Sequence, residues 1–95
     1  MKESVFQGKV KEWLEEQGCY VLKYPQSAYT HAGVSDLIWF YQDKYGFLEV
    51  KKSKDAPFRP GQKPFLEKMS KWTFAEAVYP ENFEDIKKEL LNMLR

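Results

Sequence analysis

Two β-prone runs, Asp36 to Gln42 and Tyr45 to Lys51, lie so close in the chain that an antiparallel hairpin is the pairing to expect, turning near Asp43 and Lys44 with Gly46 nearby. Every other segment must then pack around that hairpin. Ser4 to Gln17 places Phe6, Val10, Trp13 and Leu14 at i, i+4, i+7 and i+8, the spacing of an amphipathic helix, and Gly18 supplies its stop. Cys19 to Tyr24 is a short strand ended by Pro25, followed by a polar, Gly-containing connection from Gln26 to Val34. Beyond the hairpin, Lys52 to Arg59 contains Pro57 and several charges and reads as loop. Pro60 to Met69 has helical spacing through Gln62, Phe65, Leu66 and Met69, with Pro64 in the first turn, where its missing N–H is tolerated. Trp72 to Tyr79 is a last strand. Glu81 to Leu94 is a helix with Phe83, Ile86, Leu90 and Leu94 on one stripe and Asn82 as its cap. The order α-β-β-β-α-β-α predicts an α/β domain with a short mixed central sheet flanked by helices.

At 95 residues this is one domain spanning 1–95. No apolar run approaches the roughly 20 residues that cross a bilayer, and Met1-Lys2-Glu3-Ser4 lacks a signal-peptide layout, so an intracellular protein without a membrane partner is expected. One cysteine, Cys19, excludes an intrachain disulfide and reads as a small buried apolar residue. With His31 the single histidine, no zinc-type ligand set exists, and any metal must be held by oxygen. The net charge of +1 is unevenly spread: residues 51–71 carry +5 and the rest −4. Such a basic stretch is either a phosphate-binding surface or a solvated face.

The hairpin also carries the chemistry. Strand alternation points Glu49 and Lys51 to one face and Val50 to the other, and the nearly balanced arms bring Asp36 beside Glu49. Adjacent carboxylates repel, a cost that a divalent cation removes, and an oxygen-only site suits Mg²⁺ or Mn²⁺. Lys51 can orient or deprotonate a water, or neutralise charge on a phosphate. Acid-x-Lys alone is weak, because Asp85-Ile86-Lys87 has it too on a helix where i and i+2 do not share a face. The hairpin copy is stronger because it ends a strand and has an Asp on the preceding strand after a Gly-containing loop, with an ordinary surface ion pair as the competing explanation. Glu3 and Gln7 extend the apolar stripe of helix one, so Glu3 is either an inward carboxylate in need of a partner or a solvated N-terminal acid. Gln62 shares the stripe of Phe65, Leu66 and Met69, as a buried hydrogen-bonding residue or a site residue.

Taken together, Glu3-x-x-x-Gln7, Gly33-Val34-Ser35-Asp36, Glu49-Val50-Lys51 and Pro60-Gly61-Gln62 resemble the stand-alone, virus- or phage-type members of the VRR-NUC family, within the PD-(D/E)XK nuclease superfamily. The resemblance runs from about Glu3 to Tyr79 and implies an αβββαβ core, here with an added C-terminal helix. It implies Asp36, Glu49 and the Val50 carbonyl as metal ligands, Lys51 as the residue that positions water, Glu3 near a second metal position or its waters, and Gln62 as the glutamine opening the helix after the E-x-K strand. Ser35 stands where the superfamily motif has proline, and Met69-Ser70-Lys71-Trp72 lacks the glycine pair often found before the last strand.

The expectation is a Mg²⁺- or Mn²⁺-dependent endodeoxyribonuclease acting on branched or junction DNA in replication and repair. Lys52, Lys54, Arg59 and Lys63 are expected to contact phosphates, with Tyr29 and His31 on the loop before Asp36 touching DNA as well. Two strands of a branched substrate need two sites, so a homodimer is expected, and a small domain with 16 aromatics has reason to bury some between subunits. Two other classes compete: a catalytically silent nuclease-fold module that binds DNA or protein, and a structural subunit whose Trp39, Tyr41 and Trp72 build an interface. Metal binding discriminates them, since the nuclease needs it and the interface does not.

Overall fold

The computed structural model describes residues 1–25 and 33–95. Among them are α1 (Glu3–Glu16), β1 (Tyr20–Lys23), β2 (Leu37–Tyr41), β3 (Lys44–Val50), α2 (Gln62–Met69), β4 (Phe74–Val78) and α3 (Phe83–Leu94), the order expected from the sequence. The sheet runs β1-β2-β3-β4. Its first three strands are antiparallel, and β4 lies parallel to β3 because α2 carries the chain back between them. The result is a mixed α/β fold, and no helix among the described residues is long and apolar enough to cross a membrane.

The helical stripes dictate the layers. Phe6, Val10 and Leu14 of α1 and Ile86, Leu90 and Leu94 of α3 are buried in one core with Val21, Leu37, Trp39, Leu48, Val50 and Val78 from one face of the sheet. Phe83 closes this layer edge-on against Phe6, with ring centroids 5.3 Å apart. Cys19 belongs to the same core, and burial pushes its thiol pKa up. On the opposite face α2 covers the β3 side, with Phe65 edge-on to Phe47 at 5.2 Å. Further along that face Tyr20, Phe40 and Tyr45 stand in register across β1, β2 and β3, and all three are exposed. Trp39 is fully buried and Tyr41 packs half-buried against the core, so of the three aromatics considered for an interface only Trp72 is exposed.

Two local expectations are corrected. The hairpin turn is Gln42-Asp43, one residue earlier than the Asp43-Lys44 position, with Tyr41 paired to Lys44 and Gln42 at φ 54°. Gly46 takes no part in the turn: a Cβ there would fall 2.3 Å from the Trp39 ring, so it is the missing side chain at Gly46 that leaves room for the indole. Asn82 precedes α3 but its side chain does not cap that helix. Its Oδ1 accepts the Tyr79 N–H at 2.8 Å and its Nδ2 donates to the Ala77 carbonyl at 3.1 Å, tying the helix start back to the end of β4.

Candidate active site

The β2–β3 register sets Leu37 opposite Leu48, which brings Asp36 and Glu49 side by side at the end of the hairpin. The two residues interlock. The Asp36 N–H donates to Glu49 Oε1 at 3.2 Å, and the Val50 N–H donates to Asp36 Oδ2 at 3.0 Å. Both carboxylates are buried, with side-chain exposures of 8% for Asp36 and 2% for Glu49. Burial first, then the charge of Asp36 and a hydrogen bond with it, push the Glu49 carboxyl up to about 8, against the opposing pull of Lys51 and Arg59.

The loop after β3 and the start of α2 complete the cluster. Lys51 is buried, and its Nζ donates to the Pro57 carbonyl at 2.6 Å and to Gln62 Oε1 at 3.3 Å, with the Phe58 ring 4.5 Å below it. Gln62 is the hub: its Nε2 donates to Glu49 Oε2 at 2.7 Å, while its Oε1 accepts from Lys51 and from the Arg59 N–H at 2.7 Å. Of the two roles the sequence leaves open for Gln62, the structure shows the buried hydrogen-bonding residue, with Glu49 and Lys51 as its partners. Gln62 reaches this position because Gly33 and Gly61 touch backbone to backbone. A Cβ on Gly33 would lie 2.6 Å from the Gly61 carbonyl oxygen, and both glycines have φ near +90°. Ser35 is buried, its hydroxyl donating to the Leu37 carbonyl at 3.3 Å.

Glu3 approaches this cluster without joining the carboxylate pair. It is exposed, and its Oε2 accepts the Lys52 N–H at 3.2 Å, one residue beyond Lys51. Gln7 is half-buried on α1. The Val50 peptide flanks Asp36 through its N–H.

The basic residues expected to form one phosphate surface divide. Arg59 turns to the carboxylates, with Nη2 3.0 Å from Asp36 Oδ1 and 3.8 Å from Glu49 Oε2. Lys54 and Lys63 instead line a groove of about 740 Å³ between α2, β4 and α3, together with Phe58, Leu66, Glu76 and Glu89. The carboxylate pair does not line that groove, so its size is no guide to the chemistry. Lys52 is exposed beside Glu3. Tyr29 and His31 lie outside the described residues.

Two features of the cluster escape a reading of sequence: the pairing of Arg59 with both carboxylates and the anchoring of Lys51 on the Pro57 carbonyl. Both arise in the non-periodic segment 52–61, where the only sequence signal is a basic residue between two prolines.

Among the described residues no group of three or more His, Cys, Asp and Glu side chains converges as a metal site. A cation here would take two carboxylates and fill its shell from backbone carbonyl, water and phosphate, the donor set that suits Mg²⁺ or Mn²⁺. A buried, mutually repelling pair whose ion-pair partner among the described residues is a half-exposed guanidinium fits that use. Against protein-family models, curated proteins and solved structures the chain has no match.

Proposed function

We propose that this chain is a hydrolase that cleaves phosphodiester bonds with the help of a divalent cation. More narrowly, we read it as a stand-alone VRR-NUC-type endodeoxyribonuclease with the PD-(D/E)XK core, acting on branched or junction DNA in replication and repair.

The observation that carries the reading is the interlocked pair Asp36 and Glu49, buried on adjacent strands with Glu49 raised to about 8 and tied through Gln62 to Lys51. Asp36, Glu49 and the Val50 carbonyl would hold Mg²⁺ or Mn²⁺, and Glu3, at the edge of the cluster, would order water near it. Such an ion supplies positive charge against the phosphate oxygens and acidifies water at the site. Gln62 fixes the Glu49 carboxylate, and by accepting from Lys51 it also sets where that ammonium lies. Lys51, released from Pro57 by substrate, positions the attacking water or neutralises charge gathering on phosphate. Lys52, Lys54, Arg59 and Lys63 would contact backbone phosphates without reading bases, so that shape and charge choose the substrate.

A second copy of the chain fits the proposal, because concerted cuts on two strands need two sites. The exposed row Tyr20, Phe40 and Tyr45 offers an apolar surface of the amphipathic kind enriched at interfaces. Light scattering of wild type and Phe40→Glu tests it: a monomeric mass for wild type, alone and with junction DNA, removes the dimer.

The function itself is tested by single-turnover cleavage of linear, flapped and four-way DNA in Mg²⁺ or Mn²⁺. Cleavage that is lost in Asp36→Ala and Glu49→Ala supports the site. Cleavage retained in purified Glu49→Ala rules it out, and Mn²⁺ binding without cleavage by wild type leaves a silent binding module.

A further inference from the structure

Arg59 stands between the carboxylate pair and solvent. Its side chain is 50% exposed, while those of Asp36 and Glu49 are 8% and 2% exposed. Three of the four carboxylate oxygens are committed inward: Asp36 Oδ2 to the Val50 N–H, Glu49 Oε1 to the Asp36 N–H, and Glu49 Oε2 to Gln62 Nε2. The fourth, Asp36 Oδ1, takes Arg59 Nη2 at 3.0 Å, and the same nitrogen lies 3.8 Å from Glu49 Oε2. The guanidinium therefore occupies the outward approach to the pair and supplies the charge that a bound cation would supply.

Apart from its contact with the carboxylates, this residue is anchored through its backbone. The Arg59 N–H donates to Gln62 Oε1 at 2.7 Å, Pro60 follows it, and Lys51 holds the Pro57 carbonyl two residues before it. The side chain beyond has freely rotating bonds, and among the described residues no aromatic ring stacks on it. It can leave the carboxylates without moving the loop. A guanidinium keeps its charge at any ordinary pH and pairs as readily with a phosphate as with a carboxylate.

On the reading of the pair as a cation site, we propose that Arg59 is a built-in counter-ion that exchanges partners: it pairs with Asp36, beside Glu49, in the metal-free protein and moves to a DNA phosphate when a divalent cation takes its place. Metal and DNA then help each other. A cation that displaces Arg59 releases a phosphate-binding group, and DNA that draws Arg59 away clears the carboxylates. The two effects must be equal, because coupling between two ligands is reciprocal. Arg59 is on this account a positioning residue that links the two binding events, and it restrains cation binding in the absence of substrate.

The test is calorimetric titration with Mn²⁺ of wild type, Arg59→Ala and Arg59→Gln, together with fluorescence anisotropy of a labelled flapped DNA in chelator and in Ca²⁺. Arg59→Ala and Arg59→Gln are expected to bind Mn²⁺ about tenfold more tightly than wild type, within the usual range of coupling between sites. Ca²⁺ is expected to tighten DNA binding by wild type by a similar factor and by much less in either variant. Two neutral variants of different shape separate loss of charge from a local folding defect. Mn²⁺ affinity that is unchanged or weaker in both variants, or a Ca²⁺ effect on DNA as large as in wild type, overturns the exchange while leaving the cation site intact. Failure of wild type and both variants to bind Mn²⁺ overturns the cation site and the exchange with it.

Discussion

Replacing Glu49 by Gln should make the metal-free protein more stable near neutral pH and remove most of the response to acid that the pair produces. Glu49 titrates at 4.5 when unperturbed and at about 8 in the fold. Between those values the folded chain holds a proton that the unfolded chain has released, so its contribution to stability is fully present below 4.5 and is lost as pH rises through 8. The whole shift corresponds to roughly 4–5 kcal/mol, and the part that falls between pH 5 and pH 7 to about 2.5 kcal/mol. For a domain of this size each kcal/mol moves Tm by roughly 4–8 °C, so acidification from pH 7 to pH 5 should raise the wild-type Tm by roughly 10–20 °C relative to Glu49→Gln. The comparison cancels the other carboxylates, which the variant shares. The assay is thermal unfolding followed by circular dichroism in chelator from pH 5 to pH 8. Added Mn²⁺ should reverse the sign for wild type, because the cation needs both carboxylates ionised and stabilises more as pH rises. Parallel pH profiles for the two proteins in chelator would refute the argument that Asp36 and burial hold a proton on Glu49.

Lys51→Ala should abolish cleavage under single-turnover conditions while leaving the Mn²⁺ affinity measured by calorimetry within a few-fold, because Lys51 touches Gln62 and Pro57 and not the carboxylates. Combined replacement of Lys52, Lys54 and Lys63 by Gln should weaken binding alike across DNA sequences and flatten the salt dependence measured by anisotropy, the slope falling by about one for each phosphate that is no longer neutralised. Gly33→Ala places a Cβ 2.6 Å from the Gly61 carbonyl at φ +89°, and should cost roughly 2–3 kcal/mol in a denaturant titration. Gly8→Ala, with open space around it, should instead stabilise α1 by roughly 0.5–1 kcal/mol.

What the sequence makes legible follows the regular periods. A period of 3.6 locates the stripes of α1 and α3, and Phe6, Val10, Leu14, Ile86, Leu90 and Leu94 are all buried. A period of 2, with arms of nearly equal length, places Asp36 against Glu49 even though the turn itself sits one residue earlier. The reading fails where no period operates. Arg59 and Pro57 act through a loop whose path depends on where Lys51 and Gln62 hold it. Asn82 has the composition of a cap, but two nearby backbone groups at the end of β4 compete for its amide and win. The helical stripe leaves Glu3 open between an inward and a solvated carboxylate, and only the position of Lys52 decides that this exposed carboxylate takes a backbone N–H.

The chain contains its own control for the acid-x-Lys spacing. Asp85-Ile86-Lys87 has the same residue types, yet Asp85 is exposed on α3, and Lys87 turns to Glu84 at 3.1 Å and over the Phe83 ring at 4.3 Å. Such an exposed arrangement contributes little and binds nothing in particular. Glu49 and Lys51 differ because a strand puts them on one face, a hairpin adds Asp36, and two touching glycines return Gln62 between them. Burying two repelling carboxylates opposes folding, and apolar residues of the same size would leave a more stable domain. The fold nonetheless devotes a buried glutamine, a buried lysine and a guanidinium to holding that pair in place. On the proposed reading, a cation held between Asp36 and Glu49, where the rotatable Arg59 guanidinium now lies, would supply the physical rationale for an arrangement that costs stability in the isolated chain.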